Sequence, residues 1–464
     1  MKEKKKMKRT GMAILAALLT AVGFANPEIL KDAWLKGTTD KTPIFYNPGE
    51  TMVFTIEPQD INGELPAGKY FLKWERTGDD GITEKGKEPF TGKPFVYKTS
   101  ISKPGFVRLY AVVVDAEGKE FRKAIPKFKG DRTSPEGQRA LKKLKKLKRL
   151  VFFDGGAAAG IDTLRQGAPE PKDFDAFWAK EKAELSKIPF NTKRIEAKCH
   201  NHKANIYALS VDCRGGMPVT GYLSIPKAAE KGRKFPVRIG TFGYGVSEQR
   251  IPRNPPDDAI EFKINAHGFL LREFGGTDEY YKTYSSRISS NGYTYALDPK
   301  QNSNRETCYV RGMILRLIRA LQYAKSLPEW DGKNLEASGG SQGGLQTMWA
   351  AGLVDGLTAA RPAVTWGCDL GNSLREGGPL ISNTWGIPHA DGAFYFDAAL
   401  HAKRVPATCK VEITRLGLGD LACPPRGVLL SYYNMKCPVS AKLVQGSTHG
   451  YVPPAPNQTF TISK

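Results

Sequence analysis

The first third of the chain alternates hydrophobic and polar positions with a period of two. Thr51-Met52-Val53-Phe54-Thr55-Ile56 alternates, and Lys69-Tyr70-Phe71-Leu72-Lys73-Trp74 follows a turn at Pro66 and Gly68. Val107 to Val114 is a run of β-branched and aromatic residues ahead of Asp115-Ala116-Glu117-Gly118. Successive side chains of a strand point to opposite faces, so such runs, separated by Gly, Pro and Asp, predict short strands joined by tight turns. Residues 26–130 thus read as an immunoglobulin-like β-sandwich. Trp74, Tyr70 and Phe71 serve such a domain either as core or as a carbohydrate-binding face, and no cluster of catalytic residue types lies in it.

From residue 151 the period changes along the chain. Asp173 to Leu185 carries Phe174, Phe177 and Trp178 on one side of a helix, Asn205 to Val211 and Thr220 to Ile225 read as strands, and Phe235 to Phe242 reads as a buried strand stopping at Gly243-Tyr244-Gly245. Arg311 to Ser326 is an amphipathic helix, followed later by a strand at Val411 to Leu418, a helix near Arg426 to Asn434 and a last strand at Ala441 to Gln445. Alternation of this kind predicts an α/β domain over residues 151–464, with a mostly parallel sheet and ligands at strand ends. Between the two domains, residues 131–150 form a basic connector. Leu141, Leu144, Leu147 and Leu150 recur every third residue between lysines, which draws a leucine stripe along a helix. Either that helix docks by its leucines with solvated lysines outside, or its basic face meets an acidic glycan or a membrane surface.

The formal charge of +22 refines this picture only locally. Ten Lys/Arg fall between Lys127 and Arg149 against Asp131 and Glu136. The rest is diffuse and lacks the interleaved aromatic and basic residues that stack bases, so no nucleic-acid partner is expected. At the N-terminus, Lys2, Lys4, Lys5, Lys6, Lys8 and Arg9 precede an apolar run from Met12 to Val22, and Gly23 and Ala25 suit cleavage after Ala25. Residues 1–25 therefore read as a signal peptide of a periplasmic or secreted protein, the apolar run being too short to span a bilayer. The first cysteine is Cys199, so no lipid-anchored terminus is indicated. Seven cysteines leave at least one unpaired in an oxidising compartment. Cys199, His200 and His202 superficially resemble metal ligands but lie in strand-like sequence without further ligands at a zinc spacing, and no metal is expected.

The chemistry concentrates in Gly339-Gly340-Ser341-Gln342-Gly343-Gly344, a Gly-x-Ser-x-Gly run between a short strand-like approach and a helix-compatible run from Leu345 to Leu353. That is the context of a nucleophile elbow, although a glycine-rich turn whose serine caps a helix fits the pentapeptide too. A serine hydroxyl needs a base, and the base an acid that holds its tautomer. In the hydrolase chain order both follow the serine. His449 follows the last predicted strand in Gly446-Ser447-Thr448-His449-Gly450, with His389 in a loop as its rival and His401 within a helix. Asp420 ends a strand in Leu416-Gly417-Leu418-Gly419-Asp420, with Asp369 and Asp391 as competitors. The predicted order is Ser341, Asp420, His449.

Taken together, Arg311-Gly312 through Arg319-Ala320-Leu321, the Ser341 elbow, Gly419-Asp420 with Cys423-Pro424-Pro425 and the late His449 resemble the acetyl xylan esterase and cephalosporin C deacetylase family, carbohydrate esterase family seven. Pro171 to Trp178 and Gly221 to Lys227 are similar to that family's opening elements, and the resemblance covers roughly residues 150–464. It implies an α/β-hydrolase fold, removal of acetyl groups from acetylated carbohydrates such as xylooligosaccharides, and no cofactor. Ser341 matches the nucleophile, Asp420 the acid and His449 the base, while the oxyanion-hole amides match Gln342 and Tyr244. Relatives often have a histidine before the Gly-Tyr pair where this chain has Phe242. Two alternatives share parts of the pattern: a prolyl-oligopeptidase-type serine peptidase, for whose propeller the β segment is too short, and a polysaccharide-binding protein with an unused hydrolase fold.

Overall fold

The structure, a computed structural model, describes residues 27–124, 128, 130–131, 134–146, 150–198, 203–371 and 390–464. The expected signal peptide, part of the basic connector, the Cys199, His200 and His202 group, and His389 lie outside the described residues. Among the described residues no helix is long and apolar enough to cross a membrane.

Seven strands build the N-terminal part: β1 (Trp34–Thr39), β2 (Met52–Gln59), β3 (Phe71–Gly78), β4 (Thr83–Pro89), β5 (Phe95–Thr99), β6 (Gly105–Val114) and β7 (Phe152–Ala159). They form two antiparallel sheets, ordered β1-β2-β5 and β4-β3-β6-β7. Leu35, Phe54 and Ile56 of the first sheet pack with Leu72, Leu109 and Phe153 of the second in one core, an immunoglobulin-like sandwich. Tyr70 is buried in that core, and Trp74 lies half-buried against Phe95 and Tyr97.

The expected start of the hydrolase domain at residue 151 needs correction. β7 pairs with β6 from Phe152 to Ala159 and belongs to the sandwich sheet. Its Gly155-Gly156-Ala157-Ala158-Ala159 run has almost no β propensity, so nothing local marks it as a strand. It is small because its neighbours are close: a Cβ on Gly156 would stand 2.3 Å from the Phe106 ring and 2.5 Å from Val107 O. Between β6 and β7 the connector forms α1 (Pro135–Lys146).

The larger sheet has ten strands: β8 (Lys193–Glu196), β9 (Ala204–Val211), β10 (Val219–Pro226), β11 (Phe235–Gly240), β12 (Ile260–Asn265), β13 (Trp330–Gly340), β14 (Ala359–Ala363), β15 (Lys410–Gly417), β16 (Val439–Val444) and β17 (Thr459–Ser463). Their order is β17-β16-β15-β14-β13-β11-β12-β10-β9-β8. The six from β12 to β16 run parallel, and antiparallel strands flank them on both sides. This is the α/β-hydrolase arrangement. The strand predicted as last, Ala441 to Gln445, is β16, and β17 lies beyond it as the edge.

Helices cover the sheet: α2 (Phe174–Ser186), α3 (Asp278–Arg287), the single turn α4 (Pro299–Asn302), α5 (Tyr309–Lys325), α6 (Gln342–Leu353), α7 (Ala398–Ala402) and α8 (Pro425–Asn434). Phe174, Phe177 and Trp178 of α2 are all buried, as their spacing predicts. Strand β14, Ala-Ala-Arg-Pro-Ala, escaped the sequence pattern because a proline cannot donate to a sheet ladder. The register between β14 and β15 shifts between Ala360 and Ala363, around Pro362, and that irregularity accommodates it.

Candidate active site

β13 ends at Gly340 and α6 starts at Gln342, so Ser341 alone makes the turn. Its φ of 59° and ψ of −123° lie outside the conformations ordinary for an L-residue. Such strain, on the order of 1–3 kcal/mol, persists only where the surroundings over-determine it. Here Ser341 N–H donates to Ala363 O at 2.9 Å, while Trp366 N–H and Leu345 N–H donate to Ser341 O at 3.2 and 3.1 Å. The flanking glycines answer to space. A Cβ on Gly339 would stand 2.1 Å from Thr241 Oγ1, and one on Gly343 3.0 Å from Thr241 O. The Thr241 hydroxyl lies 3.0 Å from Ser338 O and 2.8 Å from Gly343 O, stapling the loop after β11 to the elbow.

Asp420 and His449 sit on the loops that leave β15 and β16, on the same edge of the sheet as Ser341. The buried Asp420 carboxylate accepts from the Ala422 and Cys423 amides through Oδ1, both at 2.9 Å. Its Oδ2 accepts from His449 Nδ1 at 2.9 Å. That bond leaves Nε2 as the basic end of the imidazole. Arg415 Nη2 holds the same loop by donating to His449 O at 2.9 Å. The Cys423 sulfur, the Asp420 carboxylate and a His449 ring nitrogen all lie within 4.8 Å of one another. Burial, with the Asp420 charge adding to it, pushes the Cys423 thiol well above its ordinary range, opposed by the adjoining Ser341 hydroxyl. A neutral thiol beside a carboxylate already bonded to two amides and an imidazole is a poor cation site.

The loop carrying Tyr244 faces the serine: a Cβ on Gly243 would lie 3.9 Å from Ser341 Cβ. Tyr244 stacks on Tyr295 with ring centroids 4.4 Å apart, and its hydroxyl lies 2.8 Å from Thr294 Oγ1 and 3.0 Å from Tyr295 O. The Tyr295 hydroxyl in turn donates to Gln342 Oε1 at 2.8 Å and accepts from Gly245 N–H at 2.9 Å. His267 closes the network, with Nε2 3.2 Å from Gly245 O and Nδ1 2.8 Å from Tyr309 Oη. Burial lowers the His267 imidazole to about 4, so it is neutral. Gln342, buried at the head of α6, belongs to the first turn, whose amides have no intrahelical carbonyl to meet. A cavity of about 590 Å³ opens beside this loop, lined among others by Tyr244, Arg250, Lys263, Asn265 and His267.

The competitors stand elsewhere. Asp369 accepts from Gly167 N–H at 2.8 Å and from Arg426 at 2.6 Å, and Asp391 is exposed at the head of a 3-10 turn. His401 is fully buried against Phe174 and Trp178, its Nε2 3.1 Å from Tyr395 O. The sequence does not predict Tyr295 or His267, because both precede Ser341, whereas the chain order of a hydrolase triad places acid and base after the serine. No short motif announces either.

Residues 158–374 match the acetyl xylan esterase family model. The acetyl esterase Axe7A of Xylanibacter ruminicola is 31% identical over 280 residues, which cover 57% of this chain and 60% of that protein. The matched region thus spans less than two thirds of the curated relative. Among solved structures, the acetyl xylan esterase of Paenibacillus sp. R4 aligns with 22% identity over 62% of this chain and 93% of that one, at a TM-score of 0.49. Acetyl xylan esterase 1 of Thermoanaerobacterium sp. JW/SL YS485 aligns with 18% identity over 64% and 93%, also at 0.49. Over residues 158–374, just under half of its length, this chain is similar to the acetyl xylan esterase family.

Proposed function

We propose that the chain is a serine esterase that removes acetyl groups from acetylated carbohydrates by acyl transfer through Ser341. The observation that carries this reading is the Asp420–His449 hydrogen bond of 2.9 Å on the strand-end loops beside a serine held at φ 59°. His449 takes the Ser341 proton and the alkoxide attacks the acetyl carbonyl. The Gln342 and Tyr244 amides receive the tetrahedral oxyanion, where such donors act without reorganisation. His449 then protonates the departing sugar oxygen, and water repeats the sequence to release acetate. The cavity beside the Tyr244 loop has room for the sugar. The match to Axe7A, named an acetyl esterase, supports the ester class.

The test is acetate release from acetylated xylooligosaccharides and from an aryl acetate by residues 26–464, beside the Ser341→Ala form. Release lost by several orders of magnitude in the variant is expected. Turnover of the aryl ester alone would keep the mechanism and discard the glycan. Folded protein that cleaves neither would leave the polysaccharide-binding alternative, and cleavage of a proline-containing peptide would favour the peptidase. The basic and apolar N-terminus supports export to the periplasm or medium, and a mature protein still carrying residues 1–25 would overturn that part.

A further inference from the structure

Strand β7 belongs to the sandwich by its pairing, yet it runs directly against the loops that carry Asp420 and His449. Gly419, next to the acid, packs so tightly that a Cβ there would stand 1.8 Å from Asp154 O. Gln445, at the end of β16, closes a two-bond ring with the strand: Gly156 N–H donates to its Oε1 and its Nε2 donates to Gly156 O, both at 2.9 Å. Phe153 lies 3.5 Å from where a Cβ on Gly446 would stand, and Phe152 meets the Tyr451 ring at 5.1 Å. The buried Asp154 carboxylate is gripped by Arg108 of β6 through two bonds of 2.7 and 2.8 Å.

We propose that β7, with its Asp154–Arg108 pair, is a positioning element of the active site that fixes the acid and histidine loops and sets the electrostatic potential at the Asp420–His449 pair. The proposal rests on the Ser341, Asp420, His449 reading above. It gives the N-terminal sandwich a part in the chemistry, since both members of the pair are sandwich residues.

The charges around the pair fix the sign of the test. Arg108 lies over the Tyr110 ring of its own strand and interacts with Glu75 of β3, while Asp420 adds its charge from the loop after β15 and holds His449 through Oδ2. Burial pushes the Asp154 carboxyl up to about 6 against the pull of Arg108, and Asp420 adds to the rise. Above about pH 6, where Asp154 is ionised, Asp154→Asn leaves the Arg108 charge uncompensated near Asp420. A positive charge disfavours the imidazolium, so the acid limb of the pH profile moves down.

The experiment measures kcat and KM for an aryl acetate between pH 4 and 9, with a thermal melt of each variant. In Asp154→Asn we expect the acid limb of kcat/KM to fall by roughly 0.5–1 pH unit with KM within about twofold. In Asp154→Asn with Arg108→Gln, which removes both charges, the limb returns to the wild-type position. Gly419→Ala, which lifts the acid loop off the strand, lowers kcat about tenfold or more at unchanged KM. An unshifted limb in Asp154→Asn with wild-type kcat in Gly419→Ala overturns the proposal. If Asp154→Asn fails to fold, Gly419→Ala and Gln445→Leu decide the positioning part by the same split of kcat from KM. Failure of the underlying reading is separately visible, as wild-type protein without turnover or a Ser341→Ala form that keeps it.

Discussion

Backbone strain singles out one residue at a strand end. Ser341 occupies a φ of 59°, and its Gly-x-Ser-x-Gly setting made that position legible in the sequence. The partners were legible as types in an order, with no distance attached. His401 shows why order alone does not suffice. It also follows the serine, but aromatic packing leaves it fully buried, and desolvation drives its imidazole down to about 3. On unfolding it returns to about 6.5, so between those values the unfolded state binds the extra proton. Stability from this residue is therefore present above pH 6.5 and is lost as pH falls toward 3. His401→Gln should accordingly show a shallower fall of Tm than wild type between pH 7 and 4.5. An identical slope in the two proteins would mean that His401 is not held neutral.

At the scale of elements, the elbow is a three-way contact among β13, α6 and the loop after β11. Gly339 is its tightest point, a Cβ there reaching 2.1 Å from Thr241 Oγ1 and 2.7 Å from Gly343 O. Gly339→Ala should separate the serine from the Tyr244 loop and cost about 10²-fold in kcat/KM, read by steady-state kinetics on an aryl acetate. Retained activity would mean that the loop moves with the elbow. Periodicity revealed α2, α5, β9 and β10, whose buried faces are continuous in sequence. It missed β7 and β14, because an alanine and glycine run and a proline-containing pentapeptide become strands only when neighbours supply the ladder. The Tyr295 and His267 network was illegible for the same reason, its members coming from separate loops.

At the scale of the whole molecule, the sandwich and the hydrolase domain share buried charge. Arg426 of α8, almost fully buried, bonds Asp369 at 2.6 Å and reaches Asp79 of the β3–β4 turn at 3.1 Å. Arg426→Met would take the guanidinium away from two buried carboxylates, so a loss of about 3–5 kcal/mol is expected, measured by denaturant unfolding. Adding Asp79→Asn should recover part of it, and full stability in the single variant would show that the domains hold together without this contact. Period-two and helical patterning by itself determined a β-sandwich ahead of an α/β domain, and local glycine, serine, aspartate and histidine spacing determined which residue types stand at strand ends. These are properties of neighbours along the chain, where covalent geometry fixes which faces side chains share. Tertiary structure alone decided that β7 crosses to the sandwich, that Asp420 lies 2.9 Å from His449, and that a sandwich carboxylate lies behind the loop that carries Asp420. Those contacts join residues on separate elements, where only packing and burial select the partner.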